Sequence, residues 1–149
     1  MSYFVNGHFA KIDDAGFIMV SGGESIDFLQ SILTANVATV AIGNCRPAAL
    51  LTPQGRILID MMVYRTSHQD IFLQTDRERA DDLLDRLRRY RLRRPVTLKR
   101  RIDIQLTCWW GYEGTKKPDD ANIFLDPRHT DLGCRIVSRN ADIPLTVNG

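Results

Sequence analysis

Residues 48–65 read AALLTPQGRILIDMMVYR, and this stretch decides the fold. Its first part, Ala48–Thr52, is typical of a short strand, and Thr52–Gly55 contains the Pro and Gly that favour a reverse turn. The mostly apolar segment Ile57–Arg65 would then return alongside the first strand. The sequence therefore predicts a β-hairpin.

The two faces of the returning strand differ, because alternate side chains point to opposite sides of a sheet. One face is wholly apolar and should be covered by the core: Ile57, Ile59, Met61 and Val63. The other combines apolar residues with a carboxylate and a phenol about 13 Å apart: Leu58, Asp60, Met62 and Tyr64. Such a face suits the wall of a pocket.

Upstream of the hairpin, a strand leads to a helix. The strand is Ala15–Val20, and the helix should begin near Gly22, where Ser21 and Glu24 have the spacing of a capping box. A helical period then places four apolar residues in one stripe: Phe28, Leu29, Ile32 and Leu33. We expect this helix to pack against the sheet.

Downstream, a second helix follows the strand Asp70–Thr75. Thr75 and Glu78 offer it a capping box, and Pro95 ends it. Two more strands are predicted after the proline: Val96–Lys99 and Ile102–Trp110. Helices set among hairpin-linked strands indicate an α+β fold, a mostly antiparallel sheet with two helices packed on it.

Length and composition indicate one globular domain. The chain has 149 residues, of which 44% are hydrophobic and 26% charged. We expect the domain to cover residues 1–137, with a polar loop at 111–122, and residues 138–149 to form a connecting tail towards a carboxy-terminal part. No run is long enough to span a bilayer, and the first fourteen residues lack a targeting pattern, so we predict a cytoplasmic protein without membrane contact.

Charge is concentrated in one segment, Arg77–Arg101, which holds eleven basic and four acidic residues. The segment is therefore +7, whereas the rest of the chain is −5 to reach the net charge of +2. Such a block can attract an anionic partner, including a nucleic acid, or it can be a solvated helix face. Both interpretations remain open at this stage.

Motifs of hydrolases, metalloenzymes and phosphate-binding loops are missing from the sequence. The three cysteines are too far apart for a metal site or disulfide framework, and we expect small buried hydrophobes: Cys45, Cys108 and Cys134. The three histidines should be surface residues: His8, His68 and His129. Trp109 and Trp110 should be core and rim residues.

Asp60 is the strongest candidate site residue. A carboxylate among Leu58, Met62 and Tyr64 would be desolvated unless it is hydrogen-bonded or faces a ligand. A purely structural aspartate, satisfied by backbone amides of a neighbouring loop, is the alternative.

Several motifs resemble the YgfZ-like folate-binding family, which is similar to the glycine-cleavage T-protein, a tetrahydrofolate-dependent aminomethyltransferase. They are FIMVSGGE from Phe17, FLQSILTANV from Phe28, ALLTPQGRILID from Ala49, YRLRRPVT from Tyr90, and Asp126-Pro-Arg with Leu132-Gly. The resemblance implies a roughly ring-shaped, three-domain protein with folate near its centre. It also implies that Asp60 lies beside the reacting nitrogen of tetrahydrofolate, with Tyr64 as a second folate-binding residue.

The same resemblance implies a role in maturing iron–sulfur proteins, including enzymes that modify tRNA, with folate and iron–sulfur client or assembly proteins as partners. The family's Lys-Gly-Cys signature is not in this sequence. Ile59 and Ala35-Asn36 replace an aspartate and an Asn-Asp pair of the transferase, which favours an assembly factor without independent activity.

Two alternatives remain: an aminomethyltransferase in which Asp60 would be catalytic, and a polyanion- or RNA-binding module built on Arg77–Arg101. In an assembly factor, the arginines could instead attract a polyglutamyl folate tail or an acidic partner protein.

Overall fold

The computed structural model describes residues 7–110 and 122–139. Its helices are α1 (Ser25–Ile32) and α2 (Arg77–Arg91). Its strands are β1 (His8–Ile12), β2 (Ala15–Ser21), β3 (Cys45–Leu51), β4 (Ile57–Arg65), β5 (Asp70–Asp76), β6 (Thr97–Arg101), β7 (Ile104–Trp110), β8 (Ile123–Leu125) and β9 (Cys134–Arg139). The described residues confirm the α+β prediction, with antiparallel pairing throughout.

The predicted hairpin is the edge of a five-stranded sheet with the order β3-β4-β5-β2-β6. Its turn is closed by two backbone hydrogen bonds, from Thr52 N to Arg56 O at 2.8 Å and from Gly55 N to Thr52 O at 2.9 Å. Gly55 has φ +84°, a conformation that costs glycine little. The hairpin brings Ala49 opposite Asp60.

Both helices pack on one face of this sheet and form the first core with it. From β4 this core takes Ile59, Met61 and Val63, as predicted. Ile57, predicted on the same face, is 69% exposed instead. The strand register shifts between Leu50 and Leu51, and Leu58 packs against this core in place of Ile57.

A second, four-stranded sheet with the order β1-β7-β9-β8 packs on the opposite face. The core between the sheets is aromatic and aliphatic, with Tyr64 and Phe124 in edge-to-face contact at 5.0 Å between ring centroids. Of these strands only β7 was predicted from the sequence. β8 has three residues, and in β9 the charged Arg135 interrupts the apolar pattern, so neither has a clear periodic signal.

Neither predicted capping box forms. The residue before α1 is Glu24, whose side chain makes no cap, and Ser25 N donates instead to Gly22 O at 3.1 Å. At the second helix, Thr75 still belongs to β5, and its hydroxyl donates to Asp60 O at 2.9 Å. Tertiary hydrogen bonding therefore takes the hydroxyl that a local cap would have used.

Two predicted segments fall largely outside the described residues. Of the polar loop at 111–122, only Asn122 is described, and of the tail at 138–149, only Ser138 and Arg139. Both tail residues belong to β9, so this strand continues two residues past the expected domain boundary at 137.

Within the described ranges, no helix is both long and apolar enough to cross a membrane. The longer helix, α2, has 15 residues, whereas a bilayer needs about 20 apolar ones.

We predict that Gly16→Ala destabilises the fold because Gly16 lets α2 approach the sheet closely. A Cβ at this position would lie 2.7 Å from Ala80 Cβ and 3.1 Å from Arg77 Cα. Separating the layers should lower the free energy of unfolding by about 1–3 kcal/mol, measured by urea denaturation. Gly23→Ala is the control, because nothing lies within 4 Å of its added Cβ. Equal urea midpoints for the two variants would contradict this explanation.

Candidate functional site

Asp60 lies on the same face of β4 as Met62 and Tyr64, yet it alone of the three is exposed. Among the described residues its carboxylate has no hydrogen bond or ion pair. The expected desolvation of Asp60 is therefore wrong, and the loop amides of the structural alternative are not found in the described part either. The reason is that the four-stranded sheet covers this face only from Met62 onward.

The exposed part of the face continues onto β3. Pro47, which pairs with Met62, is exposed, whereas Cys45, which pairs with Tyr64, is buried. Ala49, which pairs directly with Asp60, is buried, so the exposed positions of this face are Pro47 and Asp60. Asp60 presents its carboxylate to solvent beside the buried Ala49.

The backbone around Asp60 is held on both sides. Thr75 on β5 donates to Asp60 O at 2.9 Å, and Arg79 on α2 donates through Nη1 to Leu58 O, also at 2.9 Å. On the outer edge of β3, Thr34 N donates to Ala49 O at 3.0 Å, directly across from Asp60. The carboxylate therefore projects from a fixed strand into solvent.

Tyr64 is fully buried, and its hydroxyl belongs to a polar network between the two sheets. Arg135 Nε donates to the hydroxyl at 2.5 Å, and the hydroxyl donates to Gln74 Oε1 at 3.3 Å. Arg135 Nη2 also donates to Gln74 Oε1, at 2.8 Å. Burial raises the pKa of Tyr64 far above its usual value, and Arg135 opposes this only in part, so the phenol stays protonated.

Asp126 completes the network as the counter-ion of Arg135. Arg135 Nη1 lies 3.3 Å from Asp126 Oδ2, and both side chains are buried, with exposed fractions of 9% and 2%. Arg128 donates to both carboxylate oxygens, through Nε at 2.9 Å and Nη2 at 2.6 Å. Burial alone would raise the pKa of Asp126, but the hydrogen bonds and charges of the two arginines hold it below its usual value.

The three cysteines lie near this network. Cys45 and Cys134 are buried, and Cys108 is partly buried, close to the prediction. Cys45 Sγ donates to Leu125 O at 3.3 Å, and burial raises the pKa of this thiol to about 12. A thiol of that pKa is unreactive at neutral pH. Within 7–110 and 122–139, no three His, Cys, Asp or Glu side chains are grouped to hold a metal ion.

Other expectations about single residues are confirmed. The three histidines are exposed, Trp109 is buried, and Trp110 is at the rim. The sequence did not predict that Gln74, Asp126 and Arg135 meet Tyr64. The available signal was the charged Arg135 within an otherwise mostly apolar strand, together with the Asp126-Pro-Arg motif.

We predict that Asp126→Asn lowers the free energy of unfolding at neutral pH. The variant should also lose less stability than the wild type when the pH falls. Because the pKa of Asp126 is depressed in the folded state, its stabilisation is complete above the unfolded pKa of about 4 and is lost as the pH falls below it. Removing the charge should cost about 3 kcal/mol at neutral pH, since Arg135 stays buried without a counter-ion.

The measurement is urea unfolding between pH 2.5 and 7. Asp13→Asn is the control, because its side chain is 86% exposed. If Asp126→Asn kept the wild-type free energy of unfolding and its wild-type decrease at low pH, the assigned role of the ion pair would be refuted.

The fold is similar to that of a solved enzyme, the glycine cleavage system aminomethyltransferase T from Bartonella henselae. The TM-score is 0.62 at 21% sequence identity, over 68% of this chain and 28% of the enzyme chain. At this identity the likeness concerns the fold.

Curated relatives carry the name iron–sulfur cluster assembly factor IBA57 homolog, mitochondrial. The protein from Pyricularia oryzae is 28% identical over 87% of this chain and 35% of its own length. The protein from Neurospora crassa is 30% identical over 91% of this chain and 36% of its own length. The protein from Aspergillus oryzae is 26% identical over 79% of this chain and 30% of its own length. The chain thus spans about a third of the length of these relatives.

The relatives' names contradict the predicted cytoplasmic location, since all three are named as mitochondrial. The prediction used only the first fourteen residues. These residues are no guide to the compartment of a chain that covers about a third of its relatives.

The family model described as GCVT N-terminal domain matches residues 9–107. The match contains both helices, the whole five-stranded sheet and Asp60. It agrees with the resemblance drawn from the motifs and with the similar fold. The chain belongs to the family of GCVT N-terminal domains.

Proposed function

We propose that this protein is a tetrahydrofolate-binding accessory factor for iron–sulfur cluster assembly. The observation that carries the proposal is the similarity, over most of the chain, to fungal proteins named as iron–sulfur cluster assembly factors. The folate part is supported by family membership and by the carboxylate of Asp60, which is unpaired among the described residues. Enzymes that modify tRNA are the clients implied by the motif resemblance, and we include them in the proposal.

Asp60 is the residue that we propose contacts tetrahydrofolate. Among the described residues its carboxylate has no internal partner, so a folate N–H can bind there without breaking an existing bond. The hydrogen bond from the Thr75 hydroxyl to the backbone carbonyl of Asp60 holds the strand in place, which reduces the reorganisation that binding requires. A fixed carboxylate also stabilises positive charge on a nearby folate amine.

Tyr64 has a different role in this proposal. It was predicted as a second folate contact, but its side chain is fully buried and its hydroxyl is already used by Arg135 and Gln74. We therefore assign Tyr64 to positioning: it holds the two sheets together beside the open face on which Asp60 lies.

The open face around Asp60 offers only one side of a folate site. Pro47 and Asp60 are both exposed, and this chain spans about a third of its relatives' length. We propose that other parts of the full-length protein cover this face and enclose the pterin. Binding assays therefore need the full-length protein.

An aminomethyltransferase activity is less well supported. Ile59, which stands where the transferase commonly has a second aspartate, is 1% exposed and packs on the helix side of β4. The residue thus supplies neither a charge nor a contact on the face of Asp60. The solved aminomethyltransferase supports the fold alone.

We predict that Asp60→Asn weakens tetrahydrofolate binding by about 1–3 kcal/mol, roughly 5- to 150-fold in Kd, because the charged acceptor is lost. Isothermal titration of the full-length protein measures the change. The urea midpoint should stay within experimental error of the wild type, since Asp60 is exposed.

Asp27→Asn is the matched control, an exposed aspartate on α1 at the opposite side of the sheet. Equal folate affinities for Asp60→Asn and wild type would exclude Asp60 from the site.

The assembly role has a separate test in cells that lack the gene. In these cells the activity and cluster absorbance of an iron–sulfur enzyme should fall, and the wild-type gene should restore both. Unchanged cluster content would refute that role.

A further inference from the structure

Half of the arginines at the end of α2 lack a counter-ion in the part of the chain that the structure describes. Six arginines lie between residues 86 and 94, and three of them have carboxylates at 3.1–3.7 Å: Arg86 with Asp82, Arg88 with Asp85, and Arg94 with Glu24. The other three have no acidic partner among the described residues: Arg89, Arg91 and Arg93. Arg91 donates only to a backbone carbonyl, that of Val96 at 3.3 Å. Within residues 7–110 and 122–139, this end of the helix therefore has an uncompensated positive charge.

Two large side chains are exposed between these arginines. Tyr90 is 45% exposed and Leu92 is 82% exposed. With the three arginines they form a continuous segment, Arg89-Tyr90-Arg91-Leu92-Arg93, which we call the 89–93 patch. Arginine and tyrosine are residues that dominate binding energy at protein interfaces.

Leu92 adopts a backbone conformation that disfavours leucine. Its φ is +52° and its ψ is −114°, and it is the one residue other than glycine with positive φ in the described ranges. A helix commonly ends on glycine when the chain takes a positive φ. Because the Leu92 side chain is mostly in solvent, packing within the described chain does not offset the cost.

Helix electrostatics explains only part of the patch. Arginines in the last turn of a helix are stabilised by the partial negative charge at that end. This accounts for Arg89 and Arg91, which lie within the last turn of α2. It does not account for Arg93, which follows the helix, or for an exposed leucine with positive φ.

The patch is also badly placed for a polyglutamyl folate tail. The backbone carbonyl of Asp60 accepts a hydrogen bond from the hydroxyl of Thr75, which lies two residues before α2 begins. The patch lies at the other end of this helix. Fifteen helical residues span about 22 Å. In addition, α2 packs on the face of the sheet opposite to the one that carries Asp60.

We infer that the 89–93 patch is a docking surface for a partner protein, through an acidic segment that also carries an exposed apolar side chain. The acidic groups pair with Arg89, Arg91 and Arg93, and the apolar side chain covers Leu92. RNA would satisfy the arginines and could stack on Tyr90, but it leaves Leu92 without a partner. This inference goes beyond the proposed folate site and does not depend on it.

The test uses the full-length protein with Tyr90 replaced by the photo-crosslinker p-benzoylphenylalanine, irradiated in an extract of the source organism. Mass spectrometry then identifies the crosslinked segment. We expect one protein segment with an excess of Asp and Glu and at least one large apolar residue. A crosslinker at Ile102, which is 83% exposed on another loop, is the control and should not capture this segment.

A synthetic peptide of the captured segment then gives the affinity. Leu92→Gly should weaken peptide binding about tenfold, because the side-chain contact is lost. The same variant should raise the urea midpoint, because glycine adopts a positive φ at lower cost than leucine. The double variant Arg89→Gln/Arg93→Gln should weaken peptide binding at least tenfold. The control double variant Arg86→Gln/Arg88→Gln, at two arginines that already have carboxylate partners, should weaken it much less.

Four results would overturn the inference. They are capture no greater than at Ile102, capture of RNA, capture of a segment without acidic excess, and unchanged peptide affinity in Leu92→Gly. Because the last variant is expected to be more stable than wild type, a loss of its binding cannot be attributed to unfolding.

Discussion

The buried guanidinium of Arg135 sets the relation between the two sheets. It comes from the four-stranded sheet and is neutralised by Asp126, which follows β8, but two of its hydrogen bonds cross to Tyr64 and Gln74 on the five-stranded sheet. A buried guanidinium must keep its partners, because losing one leaves an uncompensated charge. The sheets therefore pack in one position, with aromatic contacts such as Tyr64–Phe124 around the network.

This fixed position determines what Asp60 can do. Asp60 and Tyr64 lie four residues apart on one face of β4, and their surroundings differ because the second sheet stops between them. Tyr64 is fully buried and its hydroxyl bonded, whereas Asp60 is exposed and has no side-chain partner within the described ranges. One strand thus provides a rigid support at Tyr64 and, four residues away, a solvent-exposed carboxylate at Asp60. The family match is consistent with the use of this carboxylate for binding.

Helix α2 connects two surfaces with different chemistry. Its first turn lies beside the strand that carries Asp60, and Arg79 donates to the backbone of that strand. Its last turn carries Arg89 and Arg91, which have no acidic partner among the described residues, and the exposed Leu92 follows it. The buried stripe of the helix, which includes Leu83 and Leu87, keeps both ends in place on the sheet. A factor that binds a small molecule and a protein could keep the two sites apart in this way.

The sequence by itself determined the hairpin, both helices, the helix-facing side of β4 and the family, because these depend on local periodicity, turn residues and motifs. It also singled out Asp60 as a candidate site residue, but with the wrong surroundings. Only the tertiary structure decided that Thr75 bonds Asp60 in place of a helix cap, that Arg135 meets Tyr64, and that Asp60 is open to solvent. Each of these depends on where a distant strand ends, and pairing between residues as far apart as Tyr64 and Arg135 leaves no periodic signal in the chain.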